Sequence, residues 1–141
     1  MRFYSSLFKQ VLMLVIFTYL HCCKTKINQT KVHPDGNNPA SIKAGDICTV
    51  IEGDGKFGVV KVLVINDTLA HLKIYKNKYD ERPVSLDLKT LSIGSMYDSD
   101  GFGVGHTPVV KTDFINWQPA IIANEPVEEE ELEGYRIWQE Q

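Results

Sequence analysis

Acidic and histidine side chains around one glycine-rich loop are the residues of this chain best suited to acid–base or metal chemistry. Asp98 and Asp100 directly precede the run Gly101–His106, while His71 and Asp113 come from distant parts of the sequence. Brought together, such groups could bind a metal ion and activate water for hydrolysis. The sequence contains no HExxH or GxSxG motif that would define such a site. We therefore expect surface or structural roles for both histidines, and a metal-dependent hydrolase using this loop is the alternative.

The glycine run itself does not match a nucleotide-binding loop. It lacks the GxxxxGK[ST] spacing, and no strand-loop-helix pattern for a dinucleotide surrounds it. The stretch Asp98-Ser99-Asp100-Gly101 is similar to the start of a calcium loop, but an EF-hand would need acidic residues where Met96 and Thr107 stand. We predict a flexible or tightly turned loop, with no cofactor and no metal site.

Cysteine chemistry gives a sharper prediction near the amino terminus. The apolar run Val11–Leu20 follows Arg2 and Lys9 and is about half as long as a membrane-spanning helix, which is the layout of a secretory signal peptide. The adjoining Leu20-His21-Cys22-Cys23 resembles the lipobox of bacterial lipoproteins, in which a leucine stands three residues before the cysteine. This resemblance implies cleavage after residue 22, a diacylglycerol on the Cys23 thiol and acylation, for example by palmitate, of the new amino terminus.

Two departures from the lipobox leave alternatives open. His21 is bulky where the pattern prefers a small residue, and Cys22 stands where Gly, Ala or Ser is usual. The segment from Phe3 to Cys23 could instead stay as an uncleaved anchor helix, or it could be an ordinary signal whose removal releases a soluble product. On the resemblance of Leu20 and Cys23 to the lipobox, we expect the lipid-anchored form, in the bacterial cell envelope and facing the periplasm or the cell exterior. Multiple acyl chains would make this attachment stable.

Charge divides the chain into two unlike parts. Residues 1–43 carry six basic side chains against Asp35 alone, whereas residues 44–141 carry nine basic and seventeen acidic side chains. We expect a signal peptide over 1–22, a lipidated cysteine and flexible tether over 23–43, and one β-rich globular domain over 44–141. The acidic domain excludes a groove for nucleic acid and favours a basic protein partner.

Cys48 is the single cysteine outside the leader. If Cys23 is lipidated, Cys48 has no partner for an intramolecular disulfide, whereas without lipidation a bridge between these two residues would be possible. Its place within a Val- and Ile-rich run predicts a small buried side chain rather than a reactive thiol.

Short apolar runs separated by Gly, Asn and Asp predict strands at Ile47–Ile51, Phe57–Ile65 and Leu69–Tyr75. The second run is apolar on both faces, which indicates a central strand. The run Val84–Ile93 has room for one or two further strands, and Ala120–Ala123 is another strand-like piece. The fold class is therefore mainly β, a small SH3-like antiparallel barrel or curved sheet of about five strands with short C-terminal helices.

The C-terminal third contains the candidate partner-binding residues. A short capped helix is predicted over Thr112–Trp117 and another over Pro126–Gln139, the latter with glutamates near its positive end. Acidic side chains can meet a basic partner, and exposed tryptophans are frequent anchors at protein interfaces. The candidates of these two types are Glu128, Glu129, Glu130, Trp117 and Trp138.

The segment Gly45–Tyr79, GDICTVIEGDGKFGVVKVLVINDTLAHLKIYKNKY, is similar to the opening sheet of small immunity-like proteins encoded beside bacterial toxins. That resemblance implies a compact SH3-like domain that binds and blocks one partner. We expect a membrane-anchored lipoprotein with a non-catalytic protein-binding domain, acting as an immunity or envelope-accessory factor. The alternatives are the metal-dependent hydrolase using Asp98 to His106 and a purely structural envelope protein.

Overall fold

The computed structural model describes residues 41–141, so the predicted signal peptide, the Cys23 lipid site and most of the tether lie outside the described residues. Five antiparallel strands form one sheet in the order β4-β3-β2-β1-β5. The chain folds in sequence as a four-strand meander, after which the fifth strand returns to pair with the first. The elements are β1 (Asp46–Ile51), β2 (Phe57–Ile65), β3 (Leu69–Tyr79), a 3₁₀ turn (Leu88–Thr90), β4 (Val104–Val110), α1 (Lys111–Asn116), β5 (Ala120–Asn124), a 3₁₀ turn (Glu129–Leu132) and α2 (Glu133–Gln139).

The two predicted hairpin turns are confirmed, and their residues explain them. Between β1 and β2, Gly55 adopts a φ of 82° and donates its amide to the Glu52 carbonyl at 3.0 Å. Between β2 and β3, the Asn66 side chain accepts bonds from the amides of Thr68 at 2.9 Å and Leu69 at 2.8 Å. These turns set the first three strands, and β2 is the middle strand of the sheet, as its two apolar faces predicted.

One face of the sheet is apolar and is covered by α1. Side chains on a strand alternate between the two faces, so one set of alternate residues from β1, β2 and β3 packs with Phe114, which is fully buried. Trp117 and Ile121 pack on the margin of this cluster. Cys48 belongs to it and is a free, fully buried thiol, in agreement with the prediction. The buried members are Cys48, Val50, Val60, Val62, Ala70, Leu72 and Phe114.

The opposite face of the sheet is divided into an apolar half and a charged half. Ile47, Val59 and Tyr75 form the apolar half, which the leucines of the loop after β3 cover. Lys61 on β2 and its register partner Lys73 on β3 belong to the charged half. The residues after Pro126 cover these lysines, as the contacts described below show.

The predicted strand or strands in Val84–Ile93 are wrong. Leu86, Leu88 and Leu91 pack onto the apolar half of the second face, and the Asp87 side chain accepts the Lys89 amide at 3.1 Å to cap a 3₁₀ turn. The fourth strand forms later, at Val104–Val110, and so includes the end of the run predicted to be a loop. Its apolar residues are spread among Gly, Thr and Pro, so no continuous apolar run marks it.

Within residues 41–141 the sheet is not closed into a barrel, so the barrel form of the fold prediction is wrong. Strands β4 and β5 are its two edges, and helix, loop and C-terminal segment cover its faces, which buries the apolar surface without closure. The helix after β4 lies one residue earlier than predicted and has no side-chain cap at Val110. The predicted helix over Pro126–Gln139 begins only at Glu129, as a 3₁₀ turn.

Candidate functional site

A buried ion-pair network joins the C-terminal segment to the charged half of the sheet. Lys61 Nζ donates to Glu131 Oε2 at 2.6 Å and to the Pro126 carbonyl at 2.9 Å, while Lys73 Nζ donates to Glu131 Oε1 at 2.7 Å. The Lys61 side chain is 4% exposed and that of Glu131 is 13% exposed. Burial alone would raise the pKa of Glu131, but the hydrogen bonds from Lys61 and Lys73 outweigh it and lower the pKa to about 2. One carboxylate therefore holds two lysines in place.

Local structure presents Glu131 to these lysines. Glu128 and Glu131 form a capping box at the start of the 3₁₀ turn, in which the Glu131 side chain accepts the Glu128 amide at 3.1 Å. Glu131 thus fixes its own turn while its carboxylate points at the sheet.

Beside this network, two histidines meet under the C-terminal helix. His71 Nδ1 on β3 lies 3.0 Å from His106 Nε2 on β4, and His71 is fully buried. The rings of Tyr135 and Trp138 contact the His71 ring edge-to-face, with centroids 4.7 and 4.6 Å away. Burial lowers the pKa of both histidines, and for His71 the neighbouring His106 adds to the effect. The imidazoles are therefore held neutral, sharing one hydrogen bond.

The close approach of α2 to this pair depends on a glycine. A Cβ added at Gly134 would lie 2.6 Å from His106 Cβ, which is closer than side chains pack. Gly134, which weakens the helix intrinsically, is therefore required by the contact with β4.

A cleft of about 350 Å³ opens next to His106, between β4 and the C-terminal segment. Lys73 and Glu131 line it but are already paired with each other. Glu130 and Glu133 also line it and form no ion pair within the part of the chain that the structure describes. The cleft therefore offers two free carboxylates beside a neutral imidazole, a combination that attracts a cationic group. The other lining residues are Ile93, Gly105 and Gly134.

The structure does not gather the sequence-predicted acid–base residues into one site: His71 meets His106, whereas Asp98 and Asp100 meet at Lys76. Lys76 Nζ donates to Asp98 Oδ2 at 2.8 Å and to Asp100 Oδ1 at 3.1 Å, and the bond from Lys76, together with one from the Ser95 amide, lowers the pKa of Asp98. His106 contacts His71 and α2 instead, and Asp113 lies in α1. Among residues 41–141 no group of three or more His, Cys, Asp or Glu side chains is arranged to hold a metal ion.

A second concavity, of about 530 Å³, lies at the apolar face near the end of β1. Trp117, Val50 and Ile74 line it, and the Trp117 ring meets Phe114 edge-to-face at 6.2 Å. Gln118 on its rim has a φ of 53°, and it is the only non-glycine residue in the described range with positive φ.

The five predicted partner-binding residues do not form one surface. Trp117 packs beside the apolar face, whereas Trp138 lies over His71 on the opposite face. Glu128 is used to cap its own turn, and Glu129 pairs with Arg136 at the surface. Only Glu130 lines the acidic cleft.

Sequence reasoning missed two groups of residues. Lys61 stands alone in an otherwise apolar run, and that pattern could have indicated a lysine buried against a distant carboxylate. Tyr97 and Met96, which are 90% and 70% exposed, give the loop before β4 an apolar surface, for which the sequence contains no periodic signal.

Comparison of the chain with known proteins finds no matching family model, no similar curated protein and no similar solved structure. In the range 41–141 no helix has both the length and the apolar character required to cross a membrane.

Proposed function

We propose that this chain is a lipid-anchored protein of the bacterial cell envelope whose acidic domain binds a basic protein partner without catalysis, as an immunity or envelope-accessory factor. The observation that carries the proposal is the acidic cleft beside α2. Its free carboxylates, Glu130 and Glu133, lie on the same short segment as Ile137 and Trp138, which are 53% and 37% exposed.

The charge balance of the whole domain supports a cationic partner. In residues 41–141, ion pairs engage six of the ten basic side chains and six of the seventeen acidic ones. Eleven carboxylates and four cations thus have no ion-pair partner in that range. Such a surplus accelerates association with a basic protein and repels polyanions.

The chemistry beside α2 suits an arginine or lysine side chain in particular. A guanidinium can donate hydrogen bonds to the two carboxylates of the cleft while its flat face or its stem rests on an aromatic ring such as Trp138. Aromatic residues beside charged ones are typical of the side chains that dominate binding energy. The partner segment is therefore expected to present Arg or Lys next to an apolar residue.

The SH3-like class is proposed as the finer description of the fold. It is supported by the meander of four strands and by the return of β5 to the side of β1.

The partner proposal is tested by affinity capture from envelope extracts with the full chain in detergent. We expect the wild-type protein and a Trp117→Phe control to capture the same basic protein in a salt-sensitive manner. The double variant Glu130→Lys and Glu133→Lys should lose it, since both changes reverse charge in the cleft. Equal capture by the double variant, or loss only with Trp117→Phe, contradicts the proposed surface.

The lipid anchor is tested separately by labelling bacterial cells with a tagged fatty acid. Cys23→Ser should abolish labelling and cleavage, whereas the neighbouring Cys22→Ser should leave both in place. Labelling that persists in Cys23→Ser excludes this lipid site.

A further inference from the structure

The C-terminal segment is fastened to the sheet at two places with different chemistry. The first is the Glu131 carboxylate, held by Lys61 and Lys73. The second is the contact of α2 with the His71–His106 pair. The first contact is between ionised groups and the second is between uncharged rings. A change of pH is therefore expected to affect the two contacts differently.

The histidine pair can hold only one proton between its facing nitrogens. His71 Nδ1 and His106 Nε2 are 3.0 Å apart with their rings 7° from parallel, so one nitrogen donates and the other accepts. One further proton can go to an outward-facing nitrogen of the pair and leave this bond in place, but a second proton leaves both facing nitrogens protonated, places two N–H groups against each other and removes the bond. It would also place a cation beneath Tyr135 and Trp138, where His71 Nε2 already has no hydrogen-bond partner.

The charged groups around the pair do not stabilise a buried imidazolium directly. Lys61 and Lys73 from the sheet are cationic, and they occupy the Glu131 carboxylate of the 3₁₀ turn. Glu130 and Glu133 face the cleft beside His106, but in the described range neither imidazole hydrogen-bonds to a carboxylate. The remaining titratable group against the pair is the Tyr135 phenol of α2, whose hydroxyl accepts a bond from Gln139 at 2.9 Å.

We propose that the His71–His106 pair is a pH-sensitive latch for α2. On mild acidification the pair takes up protons and its hydrogen bond is lost. Helix α2 then detaches from β3 and β4, while Glu131 keeps the preceding turn fixed to the sheet. The 3₁₀ turn acts as the hinge, and the movement uncovers His71 and the rings of Tyr135 and Trp138.

The direction of the titration agrees with this assignment. The pKa of each histidine is lowered from its ordinary value of 6.5 in the closed fold, so the released form binds protons more readily. Release is therefore favoured as pH falls below about 6.5, by up to tenfold per pH unit for each proton taken up. The pKa of Glu131, at about 2, keeps the hinge ionised throughout this range.

The latch rests on contacts within the domain and does not depend on the proposed partner. The test is hydrogen–deuterium exchange of the full chain in detergent at pH 7.5 and at pH 5.0, corrected for intrinsic exchange rates. We expect protection of residues 133–139 to fall at least tenfold at pH 5.0 while protection of β2 is unchanged. Unchanged protection of α2, or equal loss in α2 and β2, overturns the latch.

Two variants identify the titrating groups. His106→Gln keeps a side chain able to hydrogen-bond His71 but removes one titrating group, so the pH-dependent loss of α2 protection should shrink by about tenfold or more. Glu133→Gln, a matched change in the same cleft, should retain the wild-type pH dependence. If Glu133→Gln abolishes the pH dependence, carboxylates and not histidines control the release of α2, and the proposal is wrong. If His106→Gln does not fold, the exchange experiment on the wild-type protein alone decides whether α2 is released.

Discussion

Replacing Glu131 by Gln is the most informative single perturbation of this domain. The change preserves size and the ability to hydrogen-bond, but it leaves the 4%-exposed Lys61 without its counterion. The pKa of Glu131 is lowered from 4.5 to about 2 in the folded domain. Each pKa unit corresponds to about 1.4 kcal/mol, so the ionised carboxylate stabilises the fold by about 3 kcal/mol at pH 7. Removal of one partner from a buried ion pair costs about 3–5 kcal/mol, a range that agrees with this value.

The assay is urea unfolding at pH 7, followed by circular dichroism. With a denaturant slope of about 1–3 kcal/mol per molar, the midpoint of Glu131→Gln should fall by roughly 1–3 M. Glu129→Gln is the matched control, because Glu129 belongs to the same 3₁₀ turn and pairs with Arg136, but its side chain is 81% exposed. The control should lose less than about 1 kcal/mol.

The same measurement at lower pH tests the sign of the effect. Because the pKa of Glu131 is lowered by folding, its contribution is complete above about pH 4.5 and declines as pH falls toward about 2. The stability difference between wild type and Glu131→Gln should therefore be constant between pH 7 and pH 5 and shrink below that range. A Glu131→Gln loss no larger than that of the control would refute the reasoning, since Lys61 would then not need a buried counterion.

Two further predictions concern the core. Gly103→Ala should lower the free energy of unfolding in urea by about 1–3 kcal/mol, because the added Cβ would overlap the carbonyl oxygen of Ile74. The control is Gly105→Ala, whose Cβ would have Ile93 Cδ1 as its nearest neighbour at 4.0 Å and should change this free energy by less than about 0.5 kcal/mol. Equal effects of the two alanines would contradict this packing. Burial, with a smaller effect of the nearby Asp46 carboxylate, raises the pKa of Cys48 to about 12. In a variant with Cys22 and Cys23 changed to serine, the native protein should therefore not react with a disulfide reagent at pH 8. Reaction should appear only in urea, and fast labelling of the native protein would show that the thiol is accessible.

Strands with a continuous apolar run could be predicted because their signals are local. The strands Phe57–Ile65 and Ala120–Asn124 follow from apolar runs between turn residues, and the turn after β2 follows from the side chain of Asn66. The Leu-rich stretch after β3 was misassigned for the same reason, since apolar content does not distinguish a strand from a loop that packs its leucines on a sheet. Strand β4 was missed because its pairing with β3 does not depend on its own apolar content.

For the candidate site, the sequence predicts the types of residue involved but not which of them are in contact. The glutamates and aromatic residues of the C-terminal segment were identified from their types, but their partners are set by packing. Lys61 meets Glu131 across 70 residues, and His71 meets His106 across 35. No local pattern encodes such pairs, and for that reason Trp117 and Trp138 were grouped although they lie on opposite faces.

The position of β1 inside the sheet constrains the moment at which the domain can fold. Ile47 pairs with Lys61 across the hairpin of β1 and β2, but its second neighbour, Ala123, is synthesised 62 residues after Lys61. Until then β1 is an open edge, and Lys61 has no counterion until Glu131 follows. The sheet is therefore complete only after β5 has been synthesised, and we expect a chain that stops before Pro119 to be less stable than the full domain.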